Sequence, residues 1–392
     1  MKPHPHILIF DPRTRGHHLS WLRYMTEDFL SAGFRVTWAV DLRKDSKEII
    51  YSELFDLIDS VSITSVFDES GIWKDGSKIR SLAQCFIESG ANEIMINLDE
   101  IASNCMRFAA FGIYPPKILQ GKINGFYFRP RFLEAPFFPP GNIIKSIGFK
   151  TLFDNKWFKN VYLLDEYMIK DFIGKYKRYK SRIYFLPDPW GGEFTHSSEE
   201  AKVKLGISTE RFVFLNYGIG DKRKGLHLVI RAMLQATSDS KWFLLCAGEV
   251  GKNREIVYGL NELQSRGAVK VINRYISSDE EKMCFSASDV VLLPYIKHFG
   301  SSGVCSLAAA AGKMVIASNE GLVGKRVNEH NLGIFFKSGD VQDLKNSMSK
   351  ASLLSKSDKK QFEESAIRYS KLCSREAFSK ALLLPFLHCQ RS

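Results

Sequence analysis

Short apolar runs alternate with stretches of helical spacing along most of the chain, and this rhythm limits the fold more than any other feature. It is clearest over residues 212–318. Phe212–Tyr217 reads as a strand, Leu226–Ala236 as a helix, Trp242–Ala247 as a strand and Glu255–Arg266 as a helix. Val269–Tyr275, Asp279–Ala287, Asp289–Tyr295, Val304–Ala311 and Met314–Ser318 continue it as strand, helix, strand, helix, strand. The start of the chain repeats the pattern. His6–Asp11 is a strand, Leu19, Leu22, Met25 and Phe29 recur at helical spacing, and Arg35–Asp41 is the next strand. Further strands are expected at Ile94–Asp99, Val161–Asp165 and Arg182–Pro187. Such alternation predicts an α/β fold of two facing Rossmann-like domains with parallel sheets.

The breaker cluster Pro187-Asp188-Pro189-Trp190-Gly191-Gly192 and the polar stretch Thr195–Lys204 mark the boundary. The domains are expected at 1–190 and 200–365. A C-terminal helix at about 374–390 returns to the N-terminal domain, and 392 residues suit two domains. No apolar span reaches about 18 residues, so no transmembrane helix is expected. The seven cysteines are scattered with no Cys-x-x-Cys pair, which speaks against a zinc ribbon and a secreted disulfide framework. Buried thiols in a reducing cytoplasm are the expectation, with any membrane contact peripheral and on the inner face.

The formal charge of +12 implies an anionic partner. Most of the excess lies in residues 117–182, where fourteen Lys and Arg stand against five Asp and Glu. This region includes Phe126-Tyr127-Phe128-Arg129-Pro130-Arg131-Phe132, and Lys175 and Lys177 lie further on. Aromatics among cations suit a membrane surface or a lipid-linked acceptor, with Arg129, Arg131, Lys175 and Lys177 as the contacts. A partly buried, solvated loop is the other reading. No nucleic-acid motif accompanies them.

Three loops can carry chemistry. Gly218-Ile219-Gly220-Asp221-Lys222-Arg223-Lys224-Gly225 joins a strand to a helix. Glycines permit close backbone approach, the helix start offers N–H donors, and Lys222, Arg223 and Lys224 add charge for a phosphate. A solvated basic turn is the plainer alternative, and the stretch is not a Walker A loop. Ser301-Ser302-Gly303 precedes the next small-residue helix. Its hydroxyls and N–H groups suit a diphosphate, or the serines only cap the helix. Gly16-His17-His18 follows the first strand. One of the two histidines can bind a sugar hydroxyl or move a proton, or can serve only in local hydrogen bonding. No metal ligand set is visible.

These stretches resemble the donor domain of the GT-B glycosyltransferases of family 4 type, the glycosyltransferase group 1. Phe212–Gly225 is similar to the family's strand, glycine and basic loop. Ala287–Pro294 is similar to its apolar strand ending in proline. Ser301–Ser318 resembles its diphosphate helix and the strand after it. The family's usual pair of glutamates is missing: by register their positions hold Phe299 and Leu307. That places the chain in a divergent subgroup.

The resemblance implies transfer of a sugar from a nucleotide-sugar donor to a glycan or lipid-linked acceptor, with retention and without a metal or other cofactor, in polysaccharide or glycoconjugate synthesis. It implies catalytic roles for Lys224 and for His17 or His18. It implies donor binding by Gly16, Gly218, Gly220, Lys222, Arg223, Tyr275, Ser301, Ser302 and Gly303. A non-catalytic GT-B partner protein is the main alternative, favoured by the missing glutamates. A sugar-nucleotide epimerase built on the same two domains ranks below it.

Overall fold

A computed structural model describes residues 5–14, 18–128, 130–134, 140–175, 177–236 and 241–389. The chain divides into two compact units. One comprises residues up to Pro187 together with those from Phe378 onward; the other is Asp188–Ala377.

The first unit holds β1 (His6–Asp11), β2 (Arg35–Val40), β3 (Ser62–Ser65), β4 (Glu93–Asn97), β5 (Ile123–Tyr127), β6 (Phe158–Leu163) and β7 (Ile183–Phe185). They form a parallel sheet in the order β3-β2-β1-β4-β5-β6-β7. The second unit holds β8 (Phe212–Tyr217), β9 (Trp242–Ala247), β10 (Val269–Ile272), β11 (Val290–Leu293), β12 (Met314–Ser318) and β13 (Gly333–Phe336). Its parallel sheet runs β10-β9-β8-β11-β12-β13. Relative to its own first strand, that order is 3-2-1-4-5-6, the doubly wound order of dinucleotide-binding sheets. The parallel-sheet α/β architecture expected from the alternation is therefore present in both units.

The central strands are apolar throughout because helices cover both faces of each sheet. Val213, Phe214 and Leu215 of β8 and all of β11 are buried. The same physics corrects the reading of Phe126–Phe132 as an aromatic surface. Phe126 and Tyr127 end β5 and are buried, as is Phe132. Trp21 packs on Phe126 with ring centroids 4.8 Å apart. Phe126, Tyr127 and Phe132 are core, and Phe128 is partly buried against it. Several cations of that region are also structural. The Arg182 guanidinium donates to the carbonyls of Phe153, Phe158 and Lys159 and lies over the Phe153 ring. Lys159 pairs with Glu93, and Arg178 with Asp154.

The helix Arg375–Cys389 follows Lys356–Leu372, and its part from Phe378 onward belongs to the first unit. Phe378, Leu382 and Phe386, spaced one helical turn apart, are buried in the same core as Trp21 and Phe29. Pro385 withholds an N–H from the helix ladder. The adjacent Leu382 carbonyl accepts from the buried Tyr162 hydroxyl at 2.7 Å. Within the second unit, Trp190 donates its N–H to Cys373 O (3.2 Å) and its indole N–H to Ser370 O (2.8 Å). The two stretches next to the unit boundary are thus tied side by side.

Candidate functional site

In the second unit the strand order reverses between β8 and β11. Ligands of open parallel sheets bind in the crevice outside the carboxyl ends of the strands at such a switch point. The loops after these two strands are ones marked by sequence, and the structure joins them. The Ile296 N–H donates to Arg223 O at 3.0 Å, and the Lys224 N–H donates to the Asp221 carboxylate at 2.7 Å. Gly225 lies in the left-handed region at φ +77°, and a Cβ there would stand 1.9 Å from Pro294 O. Only glycine permits that approach.

Two cations are carried to the β11 loop by this junction. The Lys224 ammonium rests over the Tyr295 ring, 4.0 Å from its centroid. The Arg223 guanidinium lies 3.4 Å from His298 Nδ1. Each loop opens a helix: Leu226–Leu234, whose N-cap is Gly225, and Gly303–Ala310, whose N-cap is Ser302. Neither cap residue bonds its helix through a side chain. The positive dipole ends and first-turn N–H groups at the crevice suit an anion.

The serine hydroxyls have other partners. Ser302 Oγ is 3.0 Å from the Tyr295 hydroxyl, and Ser301 Oγ accepts from Arg326 at 2.7 Å. The structure therefore offers the Ser301-Ser302-Gly303 backbone and the helix end rather than two available hydroxyls. Arg326 and Asp188 escaped the sequence reading. Both are buried, and an Asp188 carboxylate oxygen is 3.6 Å from the position of a Cβ on Gly303. A signal for Arg326 existed: it lies on the face of the Gly321–Glu329 helix that carries Leu322 and Val323, both buried.

Lys222 goes elsewhere. Its ammonium is 3.2 Å from Glu255, whose carboxylate also meets Arg231 at 2.6 Å. Lys222 holds the Glu255 carboxyl below its usual range, with Arg231 assisting. Such exposed pairs are weak.

Gly218 and Gly220 extend the pairing of β8 with β9: their N–H groups donate to Ala247 O and Glu249 O, each at 2.8 Å. Tyr275 is exposed on the loop after β10, two strands from β8. Beside the end of β8, the Tyr217 hydroxyl donates to Glu281 at 2.6 Å. Burial pushes the Glu281 carboxyl up, against the opposing pull of Tyr217 and Lys282.

In the first unit, β1 ends at the buried Asp11, and the next helix begins at His18. His18 Nδ1 is 2.9 and 3.0 Å from the two carboxylate oxygens. The carboxylate selects the ring form with a proton on Nδ1 and fixes the ring's orientation. Gly16, His17 and Arg129 lie outside the described residues, as does the Lys175 side chain. Arg131 and Lys177 are exposed. Among the described residues, no cluster of three or more His, Cys, Asp or Glu could hold a metal ion.

Residues 197–368 match the family model for glycosyl transferases group 1. The matched stretch lies within the second unit, which is thereby similar to a glycosyl transferases group 1 domain. Both crevice loops fall inside the matched stretch. No curated protein matches the sequence significantly.

Solved structures share the fold of the whole chain. HepE of Anabaena, in complex with UDP and glucose, superposes with a TM-score of 0.69 at 14% identity, covering 98% of this chain and 100% of that one. A glycosyltransferase from Rickettsia africae gives 0.67 at 12%, covering 100% of both chains. Sucrose-phosphate synthase from Thermosynechococcus elongatus gives 0.65 at 14%, covering 98% of each. The group 1 domain here keeps its basic loop and helix ends while carrying no glutamate between Glu281 and Glu320.

Proposed function

We propose that this glycosyltransferase moves a sugar from a nucleotide-diphosphate donor, held at the β8/β11 crevice, to a glycan or lipid-linked acceptor. The observation that carries this reading is the junction at Gly225 and Pro294, which sets Lys224 and Arg223 beside two helix N-termini. Two cations and two dipole ends converge where a diphosphate needs compensation.

In the transfer, the bond from the anomeric carbon to the β-phosphate oxygen breaks and a bond to the acceptor oxygen forms. The acceptor's proton passes to the departing diphosphate. Negative charge grows on that diphosphate in the transition state, so cations already fixed nearby lower the barrier. Lys224 is assigned this role, with Arg223 assisting. Its seat on the Tyr295 ring holds the ammonium in place. Protein cations do the work that a metal ion does in other transferases, and no cofactor is assigned.

Gly218, Gly220 and the loop bearing Tyr275 are assigned to the nucleoside. His18, fixed by Asp11, is assigned to the sugar or the acceptor hydroxyl. Retention at the anomeric carbon and a place in polysaccharide or glycoconjugate synthesis rest on family membership. UDP-sugars are the first donors to try, because HepE was solved with UDP.

The test is a panel of nucleotide sugars with lipid and glycan extracts as acceptors, read by mass spectrometry. A product heavier than one acceptor by one sugar, formed from one donor and lost in Lys224→Ala, is the expected result. An altered sugar nucleotide formed without acceptor would instead indicate an epimerase.

A further inference from the structure

The first unit carries an apolar face that the proposed chemistry does not use. The helices Leu98–Ala109 and Gly141–Asp154 cross in direct contact: a Cβ on Gly148 would stand 1.7 Å from Met106 O. Arg107 and Phe108 follow Met106, and Ile147 precedes Gly148, so both outer faces meet near this crossing. Phe108 is 56% exposed and Phe111 73%. The N–H groups of Phe111 and Ile113 both donate to Phe108 O at 3.0 Å, which keeps these three exposed residues at one helix end. Ile143 and Ile147, one turn apart on the second helix, are exposed as well. A cluster of large apolar side chains left in water marks a docking surface.

The charge around it selects the partner. Residues 104–122 and 140–153 contain Arg107, Lys117, Lys122, Lys145 and Lys150 and no Asp or Glu. Burial and the nearby Arg107 hold the Lys145 ammonium below its usual range, with Asp99 opposing, so like charges gather at the crossing. A second copy of the chain on this face would set these cations against their own kind across a two-fold interface. An apolar centre with a cationic rim fits anionic headgroups around an acyl boundary. No helix among the described residues is long and apolar enough to cross a membrane.

We propose that this helix crossing is a peripheral docking surface for an anionic lipid bilayer, with Phe108 and Phe111 inserted as anchors and Arg107, Lys117 and Lys145 meeting headgroup phosphates. It assigns the membrane contact to residues other than Arg131 and Lys177, and it stands independently of the donor assignment.

Flotation of the full chain with vesicles tests it. Vesicles of phosphatidylcholine with one quarter phosphatidylglycerol are compared with phosphatidylcholine alone. The native chain should float with the anionic vesicles, and high salt should weaken the binding. The double variant Phe108→Ser/Phe111→Ser should partition at least about tenfold less. Its far-ultraviolet circular dichroism and its thermal response to nucleotide should be unchanged, since both side chains are exposed. Arg131→Ala/Lys177→Ala should float like the native chain. Three results would overturn the proposal: no flotation of the native chain, equal flotation of the double phenylalanine variant, or equal binding to neutral vesicles. A dimer seen by analytical ultracentrifugation and abolished by the same double variant would assign the face to a second copy and also overturn it.

Discussion

Replacing Gly225 with alanine attacks the junction on which the donor site depends. The added methyl would stand 1.9 Å from Pro294 O and 2.8 Å from its carbonyl carbon. Carbon and carbonyl oxygen rest no closer than about 3.3 Å, so the β8 and β11 loops must part by roughly 1.4 Å. The residue would also keep φ +77°, which costs a non-glycine about 1–2 kcal/mol. Forcing a methyl into packed backbone adds about 1–3 kcal/mol. The sum is about 2–5 kcal/mol. For a unit of this size, roughly 2–4 °C is lost per kcal/mol, so the melting point of the second unit should fall by roughly 4–20 °C.

Gly218→Ala is the matched control. Gly218 is also left-handed, at φ +90°, but no atom lies within 4 Å of its would-be Cβ. It should lose only the conformational part, about 1–2 kcal/mol. Differential scanning calorimetry of the two variants measures the difference. Gly225→Ala should be the more damaged and should also lose its response to nucleotide, because Arg223 and Lys224 move with the loop. Equal melting points for the two variants would refute close contact between the loops.

Tyr162→Phe should remove the donor to the Leu382 carbonyl next to Pro385. Losing that one buried hydrogen bond costs about 0.5–1.5 kcal/mol, and limited proteolysis should then cut the C-terminal helix faster. Glu281→Gln tests a pH effect. The folded Glu281 carboxyl is raised by burial, so its contribution to stability is complete below the unfolded value of about 4.3 and is lost as pH rises through the higher folded value. The glutamine variant should lack that loss, and its melting point should decline less between acid and neutral pH; an unchanged profile would show that the pair with Tyr217 is not strained by charge.

What the sequence made legible was whatever a local period records. The β8 and β11 strands are unbroken apolar runs because both sheet faces are covered, and each is followed by glycines or small residues that stand out in composition. Tertiary partners leave no such mark. Nothing near Ser301 and Ser302 announces that Arg326 and Tyr295 engage their hydroxyls, since Arg326 comes from a helix 25 residues further on. Cations read as one basic loop part company, with Lys222 turning to Glu255 while Lys224 settles on Tyr295. The aromatic run at 126–132 misled because aromatics flanked by arginines look alike on a surface and in the last turn of a buried strand. Conversely, no sequence period marks Phe108 and Phe111, and only their exposure in the fold makes a surface of them.

Donor binding at the β8/β11 crevice is tested most directly by thermal stabilisation with UDP, GDP and ADP, run on the native chain and on Lys224→Ala. One of the three nucleotides should raise the native melting point, since a ligand that binds only the folded state stabilises it by mass action. Removing a charged partner of the diphosphate costs about 1.5–3 kcal/mol, so Lys224→Ala should need roughly ten to a hundred times more nucleotide for the same shift. No shift with any nucleotide, or an equal response from the variant, would contradict the assignment.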